Sequence, residues 1–281
     1  MKEHYFSEIV ANDIIAPDGT RLAAALQPED AALLGASSGR ESFAPVFIAG
    51  QCTSTFDLAW NFLRKRNLPP WSAVLALGQS RGRGQLRREW VSPPGNLYVS
   101  FFLPRQIAEL DAMASLATGY CIHAALGRMK IVTRIKWPND LLLHGPHGAE
   151  GKFGGLLLEE REGRLLAGLG LNLLSAPDDY ALREGRSVPA MALSACGMTV
   201  FDFWLSLAQH MWYVFDRELA GMSLETIRQK VEGALTWMGR RVHAEEAGVS
   251  GELAGLNADG SLCLRTVSGM VAVSSGSVIS E

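Results

Sequence analysis

The chain has 281 residues, 48% of them apolar and 20% charged, with a formal net charge of −3. That length predicts one large domain with a small companion, and the charge argues against a general binder of nucleic acid or anionic membrane. The opening MKEHYFSEIV lacks a basic-then-apolar signal pattern, and no apolar run approaches the roughly 20 residues that span a bilayer, so a cytoplasmic protein is expected.

In chain order, residues 1–45 are mixed, with a short helix expected over 28–34 and a Ser/Gly loop over 35–39. One weak helix is too little for a helix-turn-helix head. Residues 45–49 read as a buried strand, and Ser54 or Thr55 caps a helix carrying Leu58 and Phe62 that ends before Pro69-Pro70. A second apolar strand, 73–77, delivers the chain to Gly78. Residues 97–103 are again strand-like. From 106 to 128, Ile107, Leu110, Ala114, Ala117, Cys121 and Ala124 recur at helical steps, which predicts one helix with a buried face. A strand over 131–135 then runs into Lys136-Trp137-Pro138-Asn139-Asp140. The runs 141–143, 153–158 and 165–173, separated by glycine-bearing turns, predict an antiparallel meander. Residues 200–238 look helical.

The tail changes character. Short strands at 249–256, 262–267, 270–273 and 278–279 alternate with the turn signals Asn257-Ala258-Asp259-Gly260 and Ser268-Gly269, as in a small SH3-like β module. The expected fold is α+β, a mixed and largely antiparallel sheet with helices packed on it, plus that C-terminal barrel. The expected divisions are an N-terminal extension over 1–45, a large domain over 46–235 and a small one over 236–281. Cys52, Cys121, Cys196 and Cys263 are far apart among apolar neighbours, without a Cys-x-x-Cys pair, and are expected to be buried and unreactive. The six histidines form no metal-binding spacing.

The segment 79–100 carries the chemistry. Gln79-Ser80-Arg81-Gly82-Arg83-Gly84-Gln85-Leu86-Arg87-Arg88 places four arginines within eight positions. Its glycines let backbone N–H groups approach a ligand, and arginine offers planar donors that fit carboxylate and phosphate oxygens. A solvated basic loop or an RGG-like RNA contact would show the same composition, but apolar strands flank the segment and the motif does not repeat. A dinucleotide-binding turn fails on spacing and on the strand that follows. Pro138 should stop its strand and expose Asn139 and Asp140. Lys152 enters the run Phe153-Gly154-Gly155, and Gly168-Leu169-Gly170-Leu171-Asn172 sets small residues before one polar side chain.

Together these pieces resemble the biotin protein ligases. The matching motifs are Ser54-Thr55, Gln79-Ser80-Arg81-Gly82-Arg83-Gly84, Trp90-x-Ser92-Pro93-x-Gly95-Asn96-Leu97-Tyr98, Lys136-Trp137-Pro138-Asn139-Asp140, Lys152-x-x-Gly155-x-Leu157-x-Glu159 and Gly168-x-Gly170-x-Asn172. They stand in the family's order from about residue 46 onward, and the tail is similar to the family's small C-terminal domain. The resemblance implies a core like that of class II aminoacyl-tRNA synthetases and two half-reactions in one site. Biotin is first activated by ATP with Mg2+ as biotinyl-5'-AMP, and a lysine of a biotin carboxyl carrier domain then takes the acyl group. It implies Arg83, Lys152 and Asp140 as catalytic residues. It implies Ser54, Thr55, Phe56, Gln79, Arg83, Gly84, Gln85, Lys152 and Gly155 against biotin. Arg83, Trp90, Asn139 and Asn172 fall to the adenylate, and Mg2+ would accompany ATP near Asp140 and Asn172.

No nucleic-acid or membrane partner is expected, and the apolar run 156–158 permits a homodimer of the kind the family forms. Two departures stand out. Phe56 occupies a position where the family commonly has asparagine, and Gln85-Leu86-Arg87 replaces an Arg-Arg-Gly continuation. An enzyme for another acyl acid, lipoate or octanoate, and a non-catalytic binder of biotin or of the carrier are the alternative readings.

Overall fold

A parallel strand pair with a helix between its members opens the described chain. The computed structural model describes residues 44, 46–65, 68–85, 88–145, 149–177, 188–194 and 197–281. The expected helix at 28–34, the loop at 35–39, Leu86, Arg87 and Cys196 lie outside them. In chain order the strands are β1 (Val46–Cys52), β2 (Ala73–Gln79), β3 (Gly82–Arg83), β4 (Glu89–Trp90), β5 (Leu97–Phe102), β6 (Thr133–Lys136), β7 (Asp140–His144), β8 (Glu150–Arg161), β9 (Arg164–Leu171), β10 (Arg241–Ala244), β11 (Val249–Leu256), β12 (Leu262–Thr266), β13 (Gly269–Val273) and β14 (Val278–Ser280). The principal helices are α1 (Thr55–Lys65), α2 (Ala114–Arg128), α3 (Val200–Tyr213) and α4 (Leu224–Ala234). Among the described residues no helix is long and apolar enough to cross a membrane.

The chain divides into two units. The first comprises the described residues up to Arg105 with Leu157–Ser175 and Ser194–Gln209; the second comprises Gln106–Leu156, Ala176–Leu193 and His210–Glu281. In the first unit β1 and β2 are parallel, β2 pairs antiparallel with β5, and β5 antiparallel with β9. Every residue of β5, Leu-Tyr-Val-Ser-Phe-Phe, is buried, as suits a strand covered on both faces. Helix α1 turns Phe56, Leu58, Ala59, Trp60 and Phe62 into a core with Phe47, Val74, Ala76, Phe102 and Leu166. Each large side chain removed from water there contributes about 1.5–3 kcal/mol. Glycine is needed where α1 and β4 approach β9. A Cβ at Gly168 would come within 2.2 Å of the Phe56 ring, and one at Gly170 within 2.5 Å of Trp90.

In the second unit β6 and β7 form a hairpin, and β7 pairs antiparallel with the first half of β8 through a bulge between Leu141 and Leu142. The helix expected over 106–128 is interrupted. A single turn at Arg105–Ala108 and a 3-10 turn at Asp111–Met113 precede α2. Asp111 takes φ +48°, which breaks the α-helical ladder although the apolar spacing runs through it. The stretch 200–238 is likewise divided, by a π turn at Val214–Leu219 and Gly221 at φ +78°. Ser223 then restarts the helix as N-cap of α4, accepting from Thr226 N–H at 3.1 Å. Strands β10 to β14 make a five-stranded antiparallel sheet in the order β13-β12-β11-β10-β14. Within this unit Trp137 Nε1 donates to Gly260 O at 3.0 Å and Thr236 N to Ile135 O at 2.8 Å, so the β6–β7 turn is fastened to that sheet.

Candidate active site

In the first unit the carboxyl ends of β1 and β2 lie side by side, with Cys52 opposite Gln79. Ser80 N–H donates to Cys52 O and Arg81 N–H to Thr53 O, each at 2.8 Å, which draws the glycine-rich segment against the start of α1. Ser54 opens that helix: its carbonyl accepts from Asp57 N–H at 3.1 Å and Leu58 N–H at 3.3 Å. Yet the Ser54 hydroxyl caps nothing. It is fully buried and has no hydrogen-bond partner among the described residues, and such a group costs about 1–3 kcal/mol unless something arrives to pair with it.

Gln79 sits beside it. Its Oε1 accepts from Thr55 N–H at 2.9 Å and from Thr55 Oγ1 at 3.2 Å, and its Nε2 donates to Ser92 Oγ at 3.2 Å. Ser100, at the centre of β5 and wholly buried, donates to Thr55 Oγ1 at 2.7 Å. The segment itself is more ordered than a loop: β3 and β4 pair Gly82 with Trp90 and Arg83 with Glu89. Gly84 N–H donates to Arg88 O at 2.8 Å and closes the ribbon.

Arg83 meets both Asp57 and Glu159, the latter at 3.4 Å. Glu159 also accepts from Arg161 Nε at 2.6 Å, and the Arg161 guanidinium lies 5.0 Å from the centre of the Trp60 ring. These pairs are well exposed, and such pairs contribute about 0–1 kcal/mol each. A phosphate or carboxylate can therefore compete for Arg83. Asn172, after β9, is buried.

The second unit gathers charge. Asp140 accepts from Lys152 Nζ at 2.7 Å through Oδ1 and from Lys136 Nζ at 3.4 Å through Oδ2. The expectation that Pro138 exposes Asp140 is corrected. Lys136 and Asp140 face each other as a pair of the β6–β7 hairpin, and the carboxylate is only 13% exposed. Burial pushes its pKa up, but the neighbouring Lys152 and Lys136 ammonium groups more than offset this and hold it below the usual carboxylate range. Lys136 is itself 7% exposed, and its Nζ also reaches Ser277 Oγ at 3.4 Å. Lys152 is fixed through its backbone, donating to Pro189 O at 2.7 Å and accepting from Met191 N at 2.9 Å. Gly155 pairs with Asp140, and the Asn139 amide donates to Leu156 O at 2.6 Å.

Each unit thus brings together residues that the motifs single out. Two members escaped the sequence reading. Ser100 is hidden in an apolar strand and signalled only by its polarity there, and Lys136 reads as one more turn residue. No group of three or more His, Cys, Asp or Glu side chains gathers to hold a metal among the described residues. Asp140 already serves two ammonium groups, so its surroundings do not fit a Mg2+ held by the protein itself. Cys52 and Cys121 are buried thiols outside any disulfide among the described residues, and burial pushes Cys121 up to about 12. Cys263 is partly exposed, against expectation.

Residues 48–173 match the model of the biotin/lipoate A/B protein ligase family. Those residues make up a little under half of the chain. Among its curated relatives, the biotin–[acetyl-CoA-carboxylase] ligase of Paracoccus denitrificans is 36% identical over 137 residues, 45% of this chain and 55% of that protein. The bifunctional ligase/repressor BirA of Bacillus subtilis is 33% identical over 129 residues, 42% of this chain and 37% of that one. The match therefore spans about half of the first relative's length and little over a third of the second's. The biotin protein ligase of Aquifex aeolicus, solved with biotin and ATP, superposes with a TM-score of 0.69 at 24% identity, covering 85% of this chain and all of that one. This likeness is one of fold, and it bears out the expected α+β architecture.

Proposed function

We propose that the chain is an ATP-dependent biotin protein ligase, which makes biotinyl-5'-AMP and passes the acyl group to a lysine of a biotin carboxyl carrier domain. The match of residues 48–173 to the biotin/lipoate ligase family supports the reaction class. The observation that carries the choice of acid is the Ser54 hydroxyl, buried without a partner among the described residues and one position from Thr55, which holds the Gln79 amide. An acid with a polar ureido head supplies partners there, whereas the apolar end of lipoate or octanoate leaves polar groups unpaired. Sites built to hydrogen-bond a substrate reject analogues lacking that group far more strongly than apolar pockets reject an extra methylene.

In the first half-reaction the biotin carboxylate attacks the α-phosphorus of ATP, a P–O bond forms, and pyrophosphate leaves. Two anions must approach, so the protein's part is positioning and charge neutralisation. Lys152, held by Asp140, is assigned to the carboxylate and α-phosphate oxygens. Arg83 is assigned to phosphate oxygens, which it can bind bidentately in exchange for Asp57 and Glu159. Ser54, Thr55, Phe56, Gln79, Gly84, Gln85 and Gly155 are assigned to biotin; Trp90, Asn139 and Asn172 to the adenylate. Mg2+ would enter with ATP, on the phosphates. In the second half-reaction the carrier's ε-amine attacks the acyl carbon of the mixed anhydride and AMP leaves. ATP as co-substrate accords with the expected cytoplasmic location.

One observation favours the second reading: Phe56 lays an apolar ring over Gly168 where the family commonly has an amide. Exchange of labelled pyrophosphate into ATP separates the two readings. Biotin-dependent exchange, followed by label transfer to a carrier domain, is expected. Exchange with octanoate or lipoate but not with biotin sinks the proposal.

A further inference from the structure

We propose that Ser100 is a positioning residue that fixes the Gln79 amide, through a one-way hydrogen-bond relay, so that Gln79 offers its ligand an N–H donor and no acceptor. The inference rests on reading this pocket as the acid-binding site, but the relay follows from the geometry alone. A backbone N–H can only donate, so the Gln79 atom 2.9 Å from Thr55 N is the carbonyl oxygen. That oxygen only accepts, so the Thr55 hydroxyl 3.2 Å away spends its single hydrogen on it. The 2.7 Å contact between Ser100 Oγ and Thr55 Oγ1 must then run from Ser100 to Thr55.

On the other side, Gln79 Nε2 donates to Ser92 Oγ at 3.2 Å, and Ser92 sends its own hydrogen to Trp90 O at 3.2 Å. Every hydrogen in the row Ser100, Thr55, Gln79, Ser92, Trp90 points the same way, and polarised chains of this kind strengthen one another. Both lone-pair positions of Gln79 Oε1 are taken, and one Nε2 hydrogen remains, with no partner among the described residues. That hydrogen selects a ligand head with an acceptor, such as a carbonyl oxygen. Ser100 anchors the row because it is wholly buried in β5, paired with Val74 of β2 and Gly168 of β9. Without its hydroxyl the Thr55 O–H is free to rotate, and the amide loses the partner that holds its carbonyl end.

The test uses the full chain labelled with 15N-glutamine, free of ligand, in which the Gln79 side-chain amide signals are identified by their loss in Gln79→Ala. Hydrogen exchange of that amide is expected to quicken in Ser100→Ala, and equally in Ser100→Cys, which fills the volume without a strong donor. Ser100→Thr, which keeps the hydroxyl, is expected to restore it. Calorimetric titration with biotin should show a roughly three- to tenfold loss of affinity in Ser100→Ala, and less than a twofold effect of the same change in the Gln79→Ala background. An unaltered Gln79 amide in both Ser100→Ala and Ser100→Cys overturns the relay, as does an equal affinity loss in both backgrounds. If the wild-type chain binds no biotin, the substrate assignment falls while the amide signals still decide the relay.

Discussion

The polar cluster of the first unit and the ionic cluster of the second bury polarity in opposite ways. Around Gln79 the groups are neutral, joined hydroxyl to amide to hydroxyl, and one buried hydroxyl, that of Ser54, is left over. Around Asp140 the groups are charged, with two ammonium groups on one carboxylate. A surplus hydrogen-bonding group recognises the shape and polarity of a neutral head. A cation acts on charge, and its effect is largest where negative charge develops. The first cluster is therefore assigned to discrimination among acids and the second to rate.

The sharpest way to break that division is Lys152→Ala. It is expected to lower the rate of biotin-dependent pyrophosphate exchange on the order of 10²- to 10³-fold with a far smaller loss of biotin affinity. A raised KM with normal kcat would move Lys152 into the recognition cluster and dissolve the contrast. Asp140→Asn comes next and is read in stability. It leaves Lys136 buried opposite a neutral amide, for which a loss of about 3 kcal/mol is expected in urea unfolding at neutral pH. The sign with pH follows from the depressed carboxyl. The wild-type advantage is full above the unfolded value of about 3.9, and it disappears as pH falls through the lower folded value. An advantage independent of pH would mean that packing, not charge, holds the trio.

Ser54→Ala probes the other cluster. Relative to octanoate, the preference for biotin in pyrophosphate exchange should narrow about tenfold, because the buried hydroxyl that penalises an apolar head is gone. An unchanged ratio would assign selectivity to Phe56 instead.

The two clusters also differ in how far they could be read from sequence. Arg83, Asp140 and Lys152 stand in motifs whose residue types already imply anion chemistry, and the strand–helix–strand start of the domain was legible in two apolar runs with a helical stretch between them. Ser100 is different. In Leu97-Tyr-Val-Ser-Phe-Phe102 it looks like a tolerated polar residue within a buried strand, and its task depends on Thr55, 45 positions away in sequence. The burial of Asp140 was misread for a related reason. Proline predicts where a strand stops, but two lysines, one of them 12 residues further on, decide that the carboxylate can stay inside. The break at Asp111 left no trace in the apolar spacing, since one residue at positive φ interrupts a helix without changing which residues face the core.

The smallest expected effect concerns Gln85, where the two kinds of recognition meet in one residue. Gln85 carries no charge, and its carbonyl accepts from Arg88 N–H at 3.1 Å in the turn that closes the β3–β4 ribbon. Gln85→Arg restores a cation beside the arginine that faces Asp57 and Glu159, without altering the backbone contact. A partly exposed charge gained there is worth up to about 1 kcal/mol, so the release of free biotinyl-adenylate per turnover should fall by at most about fivefold. Rapid filtration with labelled ATP, with the carrier domain withheld, measures that release directly. Added salt should erase the difference, because surface electrostatics is screened within about 10 Å at 0.1 M. If release falls and salt does not restore it, the loop retains its adenylate by shape, and Gln85 belongs with the neutral cluster rather than the charged one.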